Sequence, residues 1–107
     1  MNFLTTITYR DSWYALPAEK RAELVNATVA FQDKYRKTGN LKETLTFANA
    51  KLMSIWNVTS LEELLGMMGE HPYSYYVNYD SEPFLDHQEV VKLINKYYAP
   101  VKKTAKT

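Results

Sequence analysis

Alternation of apolar and polar residues marks the start of the chain. Every second residue from 3 to 9 falls on one face of an extended segment, and the residues between them fall on the other. A period of two predicts a β-strand. The face that we expect to turn toward the helices carries Phe3, Thr5, Ile7 and Tyr9. The opposite face carries Leu4, Thr6, Thr8 and Arg10.

Helical periodicity follows a predicted loop at residues 11–16. Pro17 suits the first turn of a helix, because its missing N–H would be unpaired there in any case. The helix is predicted to run to residue 38, with Gly39 directly after its last turn, where glycine is common. Its apolar stripe, with spacings of three and four, consists of Leu24, Val25, Thr28, Val29, Phe31 and Tyr35.

Two strands and a second helix are predicted next. Residues 40–47 and 50–58 are separated by only two residues, which favours a tight hairpin. The second helix begins at Thr59 or Ser60, since either has a Glu three residues later and can form a capping box. Pro72 is expected to end it. Its apolar face carries Leu61, Leu64, Leu65 and Met68.

A tyrosine-rich strand and a third helix complete the pattern. Residues 73–81 predict the last strand, and a helix capped by Asp86 follows, with Glu89 as the capping partner. Pro100 is expected to end this helix, so we take residues 1–100 as one domain and 101–107 as a flexible basic tail. The predicted buried stripe of the third helix consists of Val90, Ile94 and Tyr97.

The order β-α-β-β-α-β plus a C-terminal helix predicts an α+β domain of the ferredoxin-like type, with a four-stranded antiparallel sheet. Both core helices then lie on one face of the sheet and leave the other bare. The commonest way for this topology to cover that face is a second identical sheet. We therefore expect a homodimer or higher homo-oligomer that forms a dimeric α+β barrel with an enclosed cavity.

Charge and composition narrow the partners. Thirteen basic residues oppose twelve acidic ones among 107, whereas nucleic-acid binding requires a basic face. The chain has no Cys, which excludes disulfides and thiolate chemistry and fits a reducing compartment. It has no apolar run of roughly 20 residues, the length of a membrane span, and no signal peptide pattern. We expect a cytoplasmic protein that binds neither nucleic acid nor membrane.

Motifs for metals and cofactors are lacking as well. The two histidines, His71 and His87, have none of the spacings of common metal sites. There is no Gly-rich phosphate loop and no nucleophile elbow, and only three Gly occur. The sequence therefore predicts no metal and no cofactor.

A segment in the second half of the chain resembles muconolactone isomerases, small proteins of the dimeric α+β barrel superfamily. The sequence VTSLEELL at residues 58–65 leads into HPYSYYVNYD at 71–80, in the family's order of capped helix, proline and aromatic last strand. His87 falls near a histidine of the family, and the resemblance covers residues 1–87. It implies cofactor-independent chemistry on a small molecule. The isomerases carry His and Lys on the first strand where this chain has Leu4 and Thr6.

Alternation along the last strand predicts the site. Val77 and Tyr79 should face the helices, and Tyr76, Asn78 and Asp80 the cavity. The catalytic candidates are His87, because histidine as a residue type is suited to proton transfer at neutral pH, Tyr76, which can hydrogen-bond a substrate oxygen, and Asp80, which can act as a general base when burial raises the pKa of a carboxyl group. The candidates for substrate binding are Thr6, Thr8, Arg10, Trp56 as a stacking wall, and Asn78, with Ser54 as a further cavity-facing residue. Three of these residues also have a purely structural interpretation. Trp56 fits a core residue, Asp80 a solvated carboxylate at the end of a strand, and His87 a surface residue.

Three functions remain open at this point. The first is a small cofactor-independent enzyme that shifts a proton in a lactone or a similar unsaturated or aromatic acid. The second is a cofactor-free monooxygenase of the same superfamily. The third is a non-catalytic barrel that binds a small ligand, which the missing basic groups of the first strand favour.

Overall fold

The computed structural model describes the backbone of residues 1–106 and the side chains of residues 1–97. Four strands form one antiparallel sheet in the order β2-β3-β1-β4. This confirms the ferredoxin-like α+β fold with an added C-terminal helix. The elements are β1 (Asn2–Tyr9), α1 (Asp11–Tyr14), α2 (Ala18–Thr38), β2 (Leu41–Thr46), β3 (Leu52–Asn57), α3 (Leu61–Gly69), β4 (Val77–Phe84) and α4 (His87–Lys106).

The core lies on the helix side of the sheet. As predicted from the alternation on β1, Phe3, Thr5 and Ile7 are buried. The larger of two apolar clusters joins β1 and β3 to α2 and α3, and consists of Phe3, Phe31, Tyr35, Leu41, Trp56, Val58, Leu64 and Met68. The smaller cluster lies at the other end of β1 and consists of Ile7, Trp13, Tyr73 and Val77.

The segment after β1 is not a loop as predicted but the short helix α1. Its Trp13 is buried, with its ring centroid 4.9 Å from that of Tyr9 and 4.7 Å from that of Tyr73. Burial of this large ring fixes the segment against the sheet, which explains why a four-residue helix forms between two longer elements.

Gly39 follows α2 with a φ of 84°, the left-handed conformation that glycine adopts readily. The predicted stripe of α2 is narrower than expected, because Val25 and Val29 are 44% and 51% exposed. On α3, Leu61 and Leu65 are likewise exposed. In both helices the residues that face the sheet are buried at spacings of three and four. The apolar residues that flank them, which the predicted stripes included, are exposed to solvent.

The hairpin between β2 and β3 is present, but its connection is longer than the predicted two residues. The backbone N–H of Phe47 donates to the Lys51 carbonyl over 2.8 Å, and the N–H of Ala50 donates to the Phe47 carbonyl over 2.9 Å. Ala50 has a φ of 67°. A left-handed residue before β3 lets the chain reverse with the right-handed twist of the strands.

Of the two predicted caps of α3, Thr59 and Ser60, the structure has Ser60. Ser60 Oγ accepts from the backbone N–H of Glu63 over 3.2 Å, and the Glu63 carboxylate accepts from the backbone N–H of Thr59 over 3.0 Å. The helix ends at Gly69, before Pro72. Residues 72–76 form turns and not the start of a strand, so β4 begins at Val77, four residues later than predicted.

Helix α4 begins where Asp86 caps it, with Asp86 Oδ1 accepting from the Gln88 N–H over 3.3 Å. Its backbone continues past Pro100, where the sequence predicted an end. The predicted buried stripe is wrong for the single chain, since Ile94 and Tyr97 are 46% and 63% exposed. The predicted basic tail lies outside the residues whose side chains are described. No helix in the described part of the chain is long and apolar enough to span a membrane.

Candidate functional site

The candidate site is the sheet face opposite the helices, which the single chain leaves uncovered. Directly opposed residues of neighbouring strands share a face. In β1 and β4, Thr8 is opposite Asn78, Thr6 opposite Asp80, and Leu4 opposite Glu82. We call this surface the bare face.

A polar pair lies at one end of the bare face. Arg10 Nε donates to Asn78 Oδ1 over 2.8 Å, and the Arg10 backbone N–H donates to the Tyr76 carbonyl over 2.9 Å. Within the described residues, Arg10 forms no ion pair with a carboxylate. The guanidinium is thus held in place by a neutral amide and not by a carboxylate, which suits an anionic oxygen of a ligand.

An apolar floor lies beside this pair. Leu4 is opposite Ile55, and Thr6 is opposite Met53, so β3 supplies two large side chains to the bare face. Leu4, Met53 and Ile55 are half-buried, and Leu45 opposite Met53 on β2 is 53% exposed. An apolar surface with a few converging polar groups is typical of small-molecule sites.

A notch occupies the other end of the bare face, between the strand ends and the first turn of α4. Its volume is about 610 Å³. The lining residues are Met1, Asn2, Asn57, residues 83–85, Glu89 and Val90. The notch has apolar walls from Met1, Phe84, Leu85 and Val90, carries polar groups from two asparagines and Glu89, and is open to solvent in the single chain.

Five of the residues predicted for the site are brought together by the structure. They lie on the bare face, either in the adjacent strands β1 and β4 or, in the case of Arg10, directly after β1. Asp80 and Asn78 are two residues apart along β4 and therefore neighbours on this face. These residues are Thr6, Thr8, Arg10, Asn78 and Asp80.

Trp56 and Ser54 are not on this face, which corrects their predicted placement. Trp56 is opposite Phe3, whose side chain is in the core, and is itself 2% exposed. Its Nε1 donates to Ser54 Oγ over 2.8 Å, and its ring lies 5.6 Å from that of Tyr35. Trp56 is a core residue and cannot stack on a ligand on the bare face.

Tyr76 is not on the bare face either. It lies in the turn before β4 and packs against the smaller core cluster, with its ring 6.4 Å from that of Trp13. What it contributes near the site is its backbone carbonyl, which accepts from Arg10. Val77 and Tyr79 face the helices as predicted.

His87 is the exposed first residue of α4. Phe84 is six positions after Asn78 along β4, which is about 20 Å of extended chain, and α4 begins beyond Phe84. Within one chain, His87 therefore lies at the notch end of the bare face and not beside Asp80. Its predicted role at the mouth of a cavity stays a prediction.

The other histidine is a core residue. His71 lies just after the end of α3, is 5% exposed and packs on Phe31 and Tyr73. Burial lowers the pKa of His71 to about 4. In the tyrosine cluster on the same side of the sheet, burial, reinforced by neighbouring tyrosines, raises the pKa of Tyr9 to about 12.

Sequence reasoning missed the floor residues Met53 and Ile55. The alternation in residues 52–57 is the available signal, but it allows two opposite assignments of faces, and the structure has the one opposite to the prediction. Among residues 1–97, no three His, Asp or Glu side chains are placed to hold a metal ion.

Comparison with known proteins bears on the fold. Neither a protein-family model nor a curated protein sequence matches the chain. Among solved structures, the chain is similar to 5-chloro-2-hydroxyhydroquinone dehydrochlorinase from Burkholderia phenoliruptrix, in complex with 2,5-dihydroxybenzoquinone. The TM-score is 0.63 at 13% sequence identity, over 83% of this chain and 98% of the dehydrochlorinase. At this identity the likeness establishes a shared fold.

Proposed function

We propose that the chain is a small enzyme that shifts a proton in an unsaturated or aromatic molecule without a cofactor. The site would be the bare face, closed by the bare face of a second copy into a dimeric α+β barrel, in a cytoplasmic protein. The observation that carries the proposal is the 2.8 Å bond between Arg10 and Asn78, which holds beside the apolar floor a cation that has no carboxylate partner among the described residues. The similar fold of an enzyme whose structure contains a dihydroxybenzoquinone supports a ring-shaped ligand.

The proposed reaction follows from the order of groups along β4. The carboxylate of Asp80 takes a proton from a carbon next to a carbonyl, and negative charge then develops on the carbonyl oxygen. Arg10 and Asn78 stabilise that oxygen by charge and hydrogen bonding, which is worth most when the site excludes water. Asp80 then returns the proton to another carbon of the conjugated system, so that atoms and charge balance.

A panel assay in D₂O tests this proposal. Lactones, unsaturated acids and hydroxylated aromatic acids are incubated with the protein, and products are analysed for deuterium by mass spectrometry. Turnover with deuterium in the product is expected. Asp80→Asn should reduce the rate by about 10²-fold or more. Glu82→Gln is the matched control, since Glu82 is two residues further along the same face, and it should leave the rate unchanged.

A non-catalytic binding protein is the second candidate. It is favoured by Leu4 and Thr6, which lie on the bare face where the isomerases carry His and Lys. Ligand binding without product in any assay would support this function and contradict the first. Consumption of oxygen during turnover would instead indicate a cofactor-free monooxygenase.

A further inference from the structure

Helix α4 presents an apolar stripe that the single chain leaves in water. Leu93, Ile94 and Tyr97 are 41%, 46% and 63% exposed, and Val90 is half-buried. Their spacing of i, i+3, i+4 and i+7 places all four on one side of the helix. A contiguous exposed apolar surface on a helix usually marks an interaction site, because tertiary contacts supply most of the stability of helices in proteins.

The stripe is continuous with the notch at the end of the bare face. Val90 belongs to the stripe and also lines the notch, together with Phe84 and Leu85. The two uncovered surfaces thus meet at the base of α4. A single partner that lies along α4 can cover the stripe and fill the notch at once.

We propose that this partner is α4 of a second copy of the chain, packed antiparallel on the first. The stripe is complementary to itself in that direction: Val90 of one copy faces Tyr97 of the other, and Leu93 faces Ile94. The larger tyrosine side chain then lies against the smaller valine, at the mouth of the notch. Such a contact is isologous and, like the bare-face contact of the proposed barrel, relates two copies by a two-fold axis.

Charge on the helix favours the antiparallel direction. Glu89 and Lys96 are seven residues apart and lie on the same flank of the stripe. In an antiparallel pair, like flanks face each other, so Glu89 of one copy lies near Lys96 of the other. In a parallel pair, this flank would face the side that carries Val91 and Asn95 and would gain no charge pair. Neither Glu89 nor Lys96 forms an ion pair within the described residues.

The first test is a matched pair of charge substitutions, followed by sedimentation velocity across protein concentration. Ile94→Glu places a carboxylate in the stripe, and Asn95→Glu adds the same charge on the adjacent residue outside it. We expect Ile94→Glu to weaken dimerisation at least tenfold and Asn95→Glu to leave it unchanged. Equal effects of the two changes, or a wild-type protein that stays monomeric at 100 micromolar, would overturn the proposal. Binding of such a monomer to anionic vesicles would assign the stripe to a membrane.

The second test fixes the direction of packing by disulfide formation, which is clean because the chain has no Cys. In the V90C/Y97C variant, the two sites are about 10 Å apart along one helix, too far for a disulfide within the chain. We expect a covalent dimer under oxidising conditions and little from V90C or Y97C alone. Efficient cross-linking of either single variant indicates parallel helices and sinks the proposal. A dimer that V90C/Y97C does not trap, and that Ile94→Glu does not weaken, would do the same while leaving the proposed enzyme function open.

Discussion

His71 Nδ1 accepts a hydrogen bond of 3.1 Å from the backbone N–H of Tyr73. The imidazole is surrounded by rings, with its centroid 4.8 Å from that of Phe31 and 5.0 Å from that of Tyr73. A nitrogen that accepts a hydrogen bond cannot carry a proton at the same time, and the apolar surroundings disfavour a charge. Both effects hold His71 in its neutral form. The hydrogen bond also connects the turn at residues 72–76 to the core.

This arrangement predicts a loss of stability in mild acid. The pKa of His71 is lowered from 6.5 to about 4. Above pH 6.5 the imidazole is neutral in both states and has no effect. Between pH 6.5 and 4 the unfolded chain binds a proton and the folded chain does not, so the free energy of unfolding falls as the pH falls, by roughly 3 kcal/mol in total. Urea titrations at a series of pH values and at fixed protein concentration measure this change in the free energy of unfolding.

Two asparagine substitutions control the pH experiment. His71→Asn keeps an acceptor for the Tyr73 N–H but cannot be protonated, so it should flatten the pH dependence in this window. His87→Asn makes the same chemical change at the exposed histidine, leaves the buried imidazole of His71 in place and is the matched control. A wild-type stability that is constant from pH 6.5 to 4 would contradict the assignment.

Neighbouring leucines of α3 test the position of the core. Leu64 is fully buried and Leu65 is 57% exposed. Leu64→Ala should lower the free energy of unfolding by about 2–5 kcal/mol, because it leaves a cavity between α3 and the sheet. Leu65→Ala makes the same chemical change on the same helix and should cost less than about 0.5 kcal/mol. Similar losses for both variants, by urea titration, would mean that both face an interior.

The pattern of residues predicted the fold well and the faces of the strands less well. On β1 the alternation of Phe3, Thr5 and Ile7 with polar residues assigns the buried face by itself. On β3 both faces carry large apolar residues, so the side of Trp56 depends on its pairing with Phe3. A shift of one residue in that pairing would exchange the two faces, and nothing in the sequence near Trp56 specifies the register.

The tyrosine-rich segment at residues 73–76 differs from its predicted strand for another reason. Tyrosine favours strands, so Tyr73 and Tyr76 extended the predicted β4 toward the N-terminus. In the structure the Ser74 N–H donates to the His71 carbonyl and the Tyr76 N–H donates to the Tyr73 carbonyl, at 3.0 and 2.8 Å. These local hydrogen bonds and the burial of Tyr73 override the propensity. Asn78 and Asp80 kept their predicted face because the error did not change the alternation.

Asn78 should matter for ligand binding and not for stability. Its bond to Arg10 is exposed, so Asn78→Ala should change the free energy of unfolding by less than about 0.5 kcal/mol. Loss of the amide frees the guanidinium to rotate, and we expect affinity for an anionic ligand to fall about tenfold, the effect of one charge-assisted hydrogen bond. Calorimetric titration with the best ligand of the panel measures it. Tyr76→Phe should bind the ligand as the wild type does, because the Tyr76 ring packs on the core side of the sheet. Loss of binding in this variant would show that the Tyr76 hydroxyl contacts the ligand.

Ala50 adopts a φ of 67° at the end of the β2–β3 loop, where a side chain is unfavourable and glycine is not. Ala50→Gly should therefore raise the free energy of unfolding by roughly 0.5–1 kcal/mol, because relief of the left-handed strain exceeds the added entropy of the unfolded chain. Ala48 lies in the same loop without a positive φ. Ala48→Gly therefore only increases the conformational entropy of the unfolded chain, and it should lower the free energy of unfolding by about 0.4–1 kcal/mol. Both variants leave the bare face and α4 unchanged, and urea titrations at one protein concentration compare them directly. A destabilising Ala50→Gly would mean that the hairpin adopts a different turn, with another register between Leu45 and Met53.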